Sequence, residues 1–410
     1  MTPKSIEIEN SYAAAFNENL EKSAPATWVK ALRENAFDEF TKIGFPLVTN
    51  EEWKYTNVAT LAKNNFSVTS AEAILNFGDE TNIVYATTIS EALQNERLAK
   101  IVHENLARHV TTNHNGFTAL NAAFAENGVF LLIPKNTKIE SPLEFTFRSR
   151  TNEVSFPRVL VYAETGSEAT IIERYEGDEN SSYLMNSVVE VVVENNAHLK
   201  HFRVQTESSE AFHVNSTQAN IYRDSVYDMT NINLGAKLAR HDVGLKFNAE
   251  NGECWVDGLY LLTDEQHTDT HSIIDHALPN CVSHQTYKGI LDGKSRAVFN
   301  GKIFVRVNAS GTNGYQSNKN LLLSNEARID TKPQLEIFND DVKCSHGATV
   351  GQLEEEELFY LLSRGLNEEL ARNLLTYGFA EEIINKISIE SIKKQLDEAV
   401  LNRLQARLEA

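Results

Sequence analysis

The string Asp340-Asp341-Val342-Lys343-Cys344-Ser345-His346-Gly347 carries the residue types best suited to metal or sulfur chemistry. Thiolate and imidazole are the usual protein ligands for zinc and iron. If the string is a strand, Cys344 and His346 stand at i and i+2 and point to the same side. Their Cβ atoms then lie about 7 Å apart, from two rises of about 3.3 Å, and both side chains can lean onto one metal ion or sulfur species. Two ligands do not close a site, so the others must come from elsewhere, another subunit included. The bland alternative is a buried cysteine beside a capped histidine.

A second group of the same types is His267, His271, His276, Cys281 and His284. His267 and His271 have the spacing of H-E-x-x-H, but Thr268 takes the glutamate position. The segment reads as strand and turn, broken at Pro279-Asn280. Its side chains can equally line a polar face, bonded to Asp269 and Asp275. Asp257, Asp264, Asp269 and Asp275 could supply a carboxylate pair for acid/base cleavage of a polysaccharide. No aromatic sugar-stacking cluster flanks them in sequence. Gly289-Ile290-Leu291-Asp292-Gly293-Lys294-Ser295 imitates a phosphate-binding loop but is one residue short, and strand-like AVFNGKIFVRV follows where a helix is needed. An Asp292-Gly293 turn between strands is the simpler reading.

These groups need a scaffold. Residues 1–125 read mostly helical, with Trp28, Val29, Leu32, Ala36, Phe37 and Phe40 at three- and four-residue steps. From 126 to 350 the chain is a long series of short extended runs, such as VFLLIP, RVLVYAE, MNSVVEVVVE, CWVDGLYLL and KNLLLS. So much strand without intervening helices excludes a doubly wound sheet. In the second half, runs begin near 254, 270, 285, 297, 315, 327 and 341. Asn and Gly inside runs, as in Phe299-Asn300-Gly301-Lys302-Ile303, suggest left-handed backbone at sharp corners. A parallel β-helix fits, because each coil buries its apolar face only on its neighbours.

From 351 to 410 the chain turns helical again. One helix is expected over 353–364, with the acidic run Glu354 to Glu357 as its solvated start. A second begins after Asn367 and ends at Gly378, and a last one runs from Ser388 to about Glu409. Phe359 and Tyr360, followed by Leu361 and Leu362, exceed what one helix face needs for its own core and suggest a partner surface.

The chain has 410 residues, 41% apolar and 23% charged, which suits a folded protein with a sizeable core. Thirty-eight basic against 57 acidic residues give a net charge of −19, which argues against a nucleic-acid-binding face and against anionic membranes. Three widely spaced cysteines predict a reducing compartment. No signal peptide and no transmembrane helix are expected, so the predicted location is the cytoplasm.

From Ser283 to Gly365 the chain reads SHQTYKGIL, FNGKIFV, NKNLLLS, KPQLEI, DDVKCSHGATVG and LFYLLSRGL. With Glu51-Glu52-Trp53-Lys54-Tyr55-Thr56 upstream, these strings closely resemble the SufB/SufD family of iron–sulfur cluster assembly proteins. Gly347 after His346 matches the SufD type, Cys-Ser-His-Gly-Ala-Thr, and not the Cys-x-His-Glu-Ala-Thr of the SufB type. The resemblance implies a mainly β fold, a right-handed parallel β-helix flanked by helical parts. It implies a non-catalytic scaffold subunit that pairs with a SufB-like paralogue. It further implies a SufC-like ABC ATPase docked on the segment holding Phe359, Tyr360 and Arg364. His346, with Cys344 beside it, would face a cysteine of the paralogue at the place of a transient iron–sulfur cluster, with no cofactor held tightly by the isolated chain. A homodimer is the expectation when the paralogue is missing, since sheet edges invite pairing.

Overall fold

From Val129 to Gly351 the chain alternates strands with corners, most of them four to six residues long. Successive strands go alternately to two sheets of parallel pairs. The first sheet stacks Val129–Ile133, Arg158–Ala163, Leu184–Val193, Phe212–Ile221, Leu238–Phe247, His267–His276, Arg296–Val305 and Arg328–Ile337. The second stacks Leu143–Ser149, Glu168–Gly177, His198–Gln205, Val226–Asn233, Glu253–Leu262, Val282–Leu291, Thr312–Leu322 and Val342–Gly351. The result is the expected β-solenoid, of about eight turns. This computed structural model describes residues 3–23, 25–70, 73–77, 84–125 and 128–405.

Corners decide where the chain turns. Asn136, Gly166, Asn196, Asp224, Asn251, Asn280 and Gly311, which lead from the first sheet to the second, all have positive φ. Asparagine, aspartate and glycine enter that region most readily. Their backbone N–H groups continue the ladder around the bend: Asn196 donates to Arg223 O at 2.9 Å and Asn280 to Ser310 O at 2.8 Å. Asn300-Gly301 is not such a corner. It sits in the middle of strand Arg296–Val305, where a Cβ on Gly301 would stand 2.4 Å from Gln316 Nε2. The glycine makes room for a side chain instead of a bend.

Between the sheets lies the main core, with Leu131, Phe145, Val161, Tyr175, Val191, Tyr227, Val256, Tyr287 and Phe299. On the outer face of the first sheet, the helices Pro3–Ser23, Thr27–Ile43 and Gly116–Ala123 bring Tyr12, Phe16, Phe40, Phe117 and Phe124 against Phe156 and Phe212. The N-terminal region also contains strands that the periodicity did not suggest. Ala73–Asn76 and Tyr85–Thr88 pair antiparallel with Leu143–Ser149 and Val129–Ile133. Four residues each are too few to show a period of two, yet they cover the N-terminal edges of both sheets.

The C-terminal helices are Glu355–Ser363, Glu368–Ile384 and Glu390–Gln405. Asn367 caps the second, accepting from Leu370 N at 2.7 Å. That helix runs through Gly378, because Ala380, Ile383 and Ile384 beyond it are buried against the second sheet. Burial of such side chains is worth about 1.5–3 kcal/mol each, more than the roughly 1 kcal/mol a helical glycine costs. The expected end of the last helix at Glu409 lies outside the described residues. No helix among the described residues is long and apolar enough to cross a membrane.

Glu190 ties the N-terminal region to the solenoid. It is fully buried, binds Arg158 Nη2 at 2.7 Å, and accepts the backbone N–H groups of Ala107, His109 and Val110 at 2.9, 2.9 and 3.1 Å. Glu190→Ala should cost about 3–5 kcal/mol, since it strands the Arg158 charge as well as three amides. Urea denaturation measures this; a loss below about 1 kcal/mol would show that the knot carries no such weight.

Candidate functional site

Cys344 and His346 lie on strand Val342–Gly351, the last of the second sheet. On one side this strand pairs with Thr312–Leu322, putting Cys344 opposite Gly314 and His346 opposite Gln316. On the other side it has no partner strand among the described residues, and neither has Arg328–Ile337 in the first sheet. The final coil is therefore the open end of the stack.

The two side chains share one side of the strand, as a spacing of two anticipated, and the structure shows that side to be the inward-facing one. Gln316 and Gln285, which precede His346 in its column, are wholly buried between the sheets, whereas His346 itself is exposed because no coil follows. Cys344 is half-buried and packs on the small cluster of Ile303, Val305 and Ala309. A Cβ on Gly314 would be 3.4 Å from its Sγ, so the glycine gives the sulfur its seat. Burial raises the Cys344 thiol, and the Gly314 N–H offsets part of that. The pair thus offers a thiol and an imidazole on an accessible rim.

The outward face of the same coils carries a feature sequence reading missed. Trp255 stacks on His284 at 4.3 Å, and His284 lies 6.0 Å from Tyr315. The three residues are in register on adjacent strands, with Ser345 next in the row. Their spacing of about 30 residues was the signal, hidden by corners of unequal length.

The 267–284 group does not come together. His267 and His271 face outward on the first sheet, His276 faces inward, and His284 faces outward on the second. His276 is buried against Phe247 and bonds Ser283 Oγ at 2.8 Å. His271 binds Glu52 at 3.0 Å and Asp269 at 3.1 Å; burial alone would lower its imidazole, but these carboxylates outweigh that and raise it. Burial alone would raise the Asp269 carboxyl, but the Arg240 guanidinium 2.6 Å away, helped by His271 and Thr56, holds it well below the usual range. Among the described residues no three His, Cys, Asp or Glu side chains converge as metal ligands.

The four aspartates are also dispersed. Asp257 holds Lys386 through both oxygens at 2.9 Å on the second sheet, Asp275 pairs with Arg306 on the first, and Asp264 forms a corner. The P-loop imitation is split between strand Val282–Leu291 and a turn at Gly293, and strand Arg296–Val305 follows. A cleft of about 600 Å³ opens between residues 43–53, the loop 109–116 and the first sheet. Its Arg240 and His271 are already committed to the ion pairs above.

Directly after the rim strand in sequence, helix Glu355–Ser363 has no buried residue. Phe359 is 71% and Tyr360 56% exposed, and Arg364 lies over the Tyr360 ring at 5.2 Å. Leu370 and Leu374 on the next helix are half exposed as well.

Two outcomes follow. Burial pushes the Cys281 thiol up to about 11, and the Cys254 thiol higher still. A thiol reagent should modify one cysteine quickly in the native chain, Cys344, and the other two only on unfolding; more than one fast thiol would contradict the assignment. Burial also lowers His276 from 6.5 to about 4. Between those values the unfolded chain binds the extra proton, so this contribution to stability is full above pH 6.5 and declines as pH falls toward 4. Its slope is about 1.4 kcal/mol per pH unit, and His276→Gln should flatten the acid limb of the stability curve accordingly. An unchanged limb would assign the acid sensitivity to other groups.

The SUF system FeS cluster assembly, SufBD core domain, family matches residues 145–379, and the SufBD protein N-terminal region family matches 6–82 and 81–145. The chain is similar to an iron–sulfur cluster assembly SufBD family protein of Synechocystis, 34% identical over 90% of this chain and 89% of the relative. It is 29% identical to the iron–sulfur cluster assembly protein SufD of Escherichia coli, over 90% of this chain and 91% of that protein. For SufD of Bacillus subtilis the identity is 27%, over 95% and 97%. Helical ends, a two-sheet solenoid and matches spanning nearly the whole length lead to one conclusion: the chain belongs to the SufBD family of SUF-system iron–sulfur cluster assembly proteins.

Proposed function

We propose that the chain is a non-catalytic scaffold subunit of the SUF machinery, acting in the cytoplasm beside a SufB-like paralogue and a SufC-like ABC ATPase. One observation carries the reading: the final coil leaves the outer edges of two ten-residue strands unpaired among the described residues and presents Cys344 and His346 on that same rim. Unpaired strand edges of this length recruit another edge. A second solenoid laid against them would continue both sheets and bring its own side chains to His346. Iron takes both imidazole and thiolate. A nascent cluster, as cargo, would then be held jointly and transiently. The isolated chain can use the same edge to pair with a second copy.

The exposed aromatics of helix Glu355–Ser363 support the reading that the ATPase docks there. Large aromatic and arginine side chains are the usual anchors of such contacts, and Phe359, Tyr360 and Arg364 supply both kinds. Nucleotide-driven movement of the docked ATPases would bias the assembly between closed and exposed states of the shared rim.

Tagged chain co-expressed with both partners should recover both. Phe359→Ala with Tyr360→Ala should weaken ATPase recovery by more than about tenfold while the paralogue remains. His346→Ala should keep the complex and lose cluster formation. A wild-type chain that recovers neither partner, or a His346→Ala complex with undiminished cluster yield, would sink the proposal.

A further inference from the structure

Three inward-facing amide and hydroxyl side chains lead across the interior to His346. Gln285 Nε2 donates to Ser272 Oγ at 2.7 Å, and Gln316 Nε2 donates to Gln285 Oε1 at 2.7 Å. Each amide gives its N–H to the member before it. Because a carboxamide carries its oxygen and nitrogen on opposite sides of one carbon, Gln316 turns its oxygen away from Gln285. That oxygen is completely buried and has no hydrogen-bond partner among the described residues. Gln285 Oε1 also accepts from Ser272 Oγ at 3.1 Å, so turning the Gln316 amide over by itself would set its oxygen against Gln285 Oε1, two acceptors face to face. The side chain is held where it is by space as well: Gly301 leaves the room that a Cβ would take from it.

The next residue of the column is His346, in register on the neighbouring strand. Neighbouring strands lie about 4.8 Å apart, so an imidazole N–H at His346 is within reach of Gln316 Oε1. We infer that Gln316 is the positioning residue for His346: its Oε1 accepts the N–H of one imidazole nitrogen and leaves the other nitrogen, with its lone pair, toward the open rim for iron. The part that concerns iron rests on the cluster-site reading above.

The physical reason is the asymmetry of a neutral imidazole. One ring nitrogen donates and the other accepts, and only the second can bind a metal. An exposed histidine without a fixed acceptor exchanges tautomers and rotates freely. Metal-binding histidines elsewhere give their remaining N–H to a carbonyl or carboxylate, which fixes both tautomer and orientation. A buried amide oxygen with no other donor supplies this at His346. It also satisfies an acceptor that is otherwise left without a bond in the interior.

The test reads tautomers directly. The full chain is labelled with nitrogen-15 at histidine, and long-range proton–nitrogen NMR spectra are recorded, with His346→Gln identifying the resonance. The wild type should show one dominant His346 tautomer, and Gln316→Met should reduce that preference by up to about tenfold, the ratio an ordinary hydrogen bond supports. Gly301→Ala, which displaces the Gln316 amide without removing it, should move the populations in the same direction, and it serves if Gln316→Met does not fold. In the complex with paralogue and ATPase, Gln316→Met should lower cluster formation with complex recovery unchanged. Unchanged tautomer populations in the folded variants overturn the inference about Gln316, whatever His346 does. A tautomer change without loss of cluster formation, with His346→Ala equally active, overturns the cluster-site reading and with it the imidazole's role toward iron.

Discussion

No coil of a parallel solenoid can satisfy its own backbone. Every strand amide and carbonyl between Val129 and Gly351 looks for its partner one coil away, so the stack is stable only as a stack. The rest of the molecule follows from what is done at the faces and ends that this leaves. Helices from the N-terminal region cover the outer face of the first sheet, and helices from the C-terminal region cover much of the second. Two short antiparallel strands take the N-terminal edges. The other end has no such cover among the described residues, and Cys344 and His346 stand on it.

The interior is graded to match. Toward the covered end it is filled by Leu131, Phe145 and Val161; toward the open end Gln285, Gln316, Asn318 and Asn320 are buried instead. In the middle, charges enter only in pairs or chains, such as Glu173 with His201 at 2.7 Å and Arg203 with His213 at 2.6 Å. Isolated charges there would be prohibitive, and paired ones fix geometry more than they add stability. The same rule binds distant segments: Arg240 is held by Asp242 and Asp269 while lying over Trp53 at 4.5 Å, which joins residues almost two hundred apart in sequence.

The β-rich middle was legible because its runs are long, β-branched and separated by Asn, Asp and Gly. The common facing of Cys344 and His346 was legible because a strand has a period of two. What stayed hidden depends on register between coils. Phe212 pairs with Leu238, 26 residues on, while Arg296 pairs with Arg328, 32 residues on. No fixed period exists to align Gln285 with Gln316 or Trp255 with His284. Gly301 reads as a corner in sequence because glycine has two uses, and local sequence does not say whether backbone freedom or the missing side chain is wanted. Gly378 failed as a stop for a related reason: burial of Ile383 and Ile384 outweighs its helix penalty. His267, Asp269, His271 and Asp275 do share the outer face of one strand, but Thr56, Arg240, Glu52 and Arg306 already occupy them, and partners that come from elsewhere in the chain cannot be read from local sequence.

In a one-dimensional stack each interior coil is stabilised from two sides, and the terminal coil from one. Opening of such a structure begins where a coil has a single neighbour, and it proceeds inward one rung at a time. The strand bearing Cys344 and His346 is thus the first to fray in the free chain and the last to be consolidated when it folds. Any protein that seals this edge supplies the missing half of the rim's rigidity. The local order of the rim would then be shared with whatever covers it, and the uncovered chain holds its thiol and imidazole in a softer arrangement.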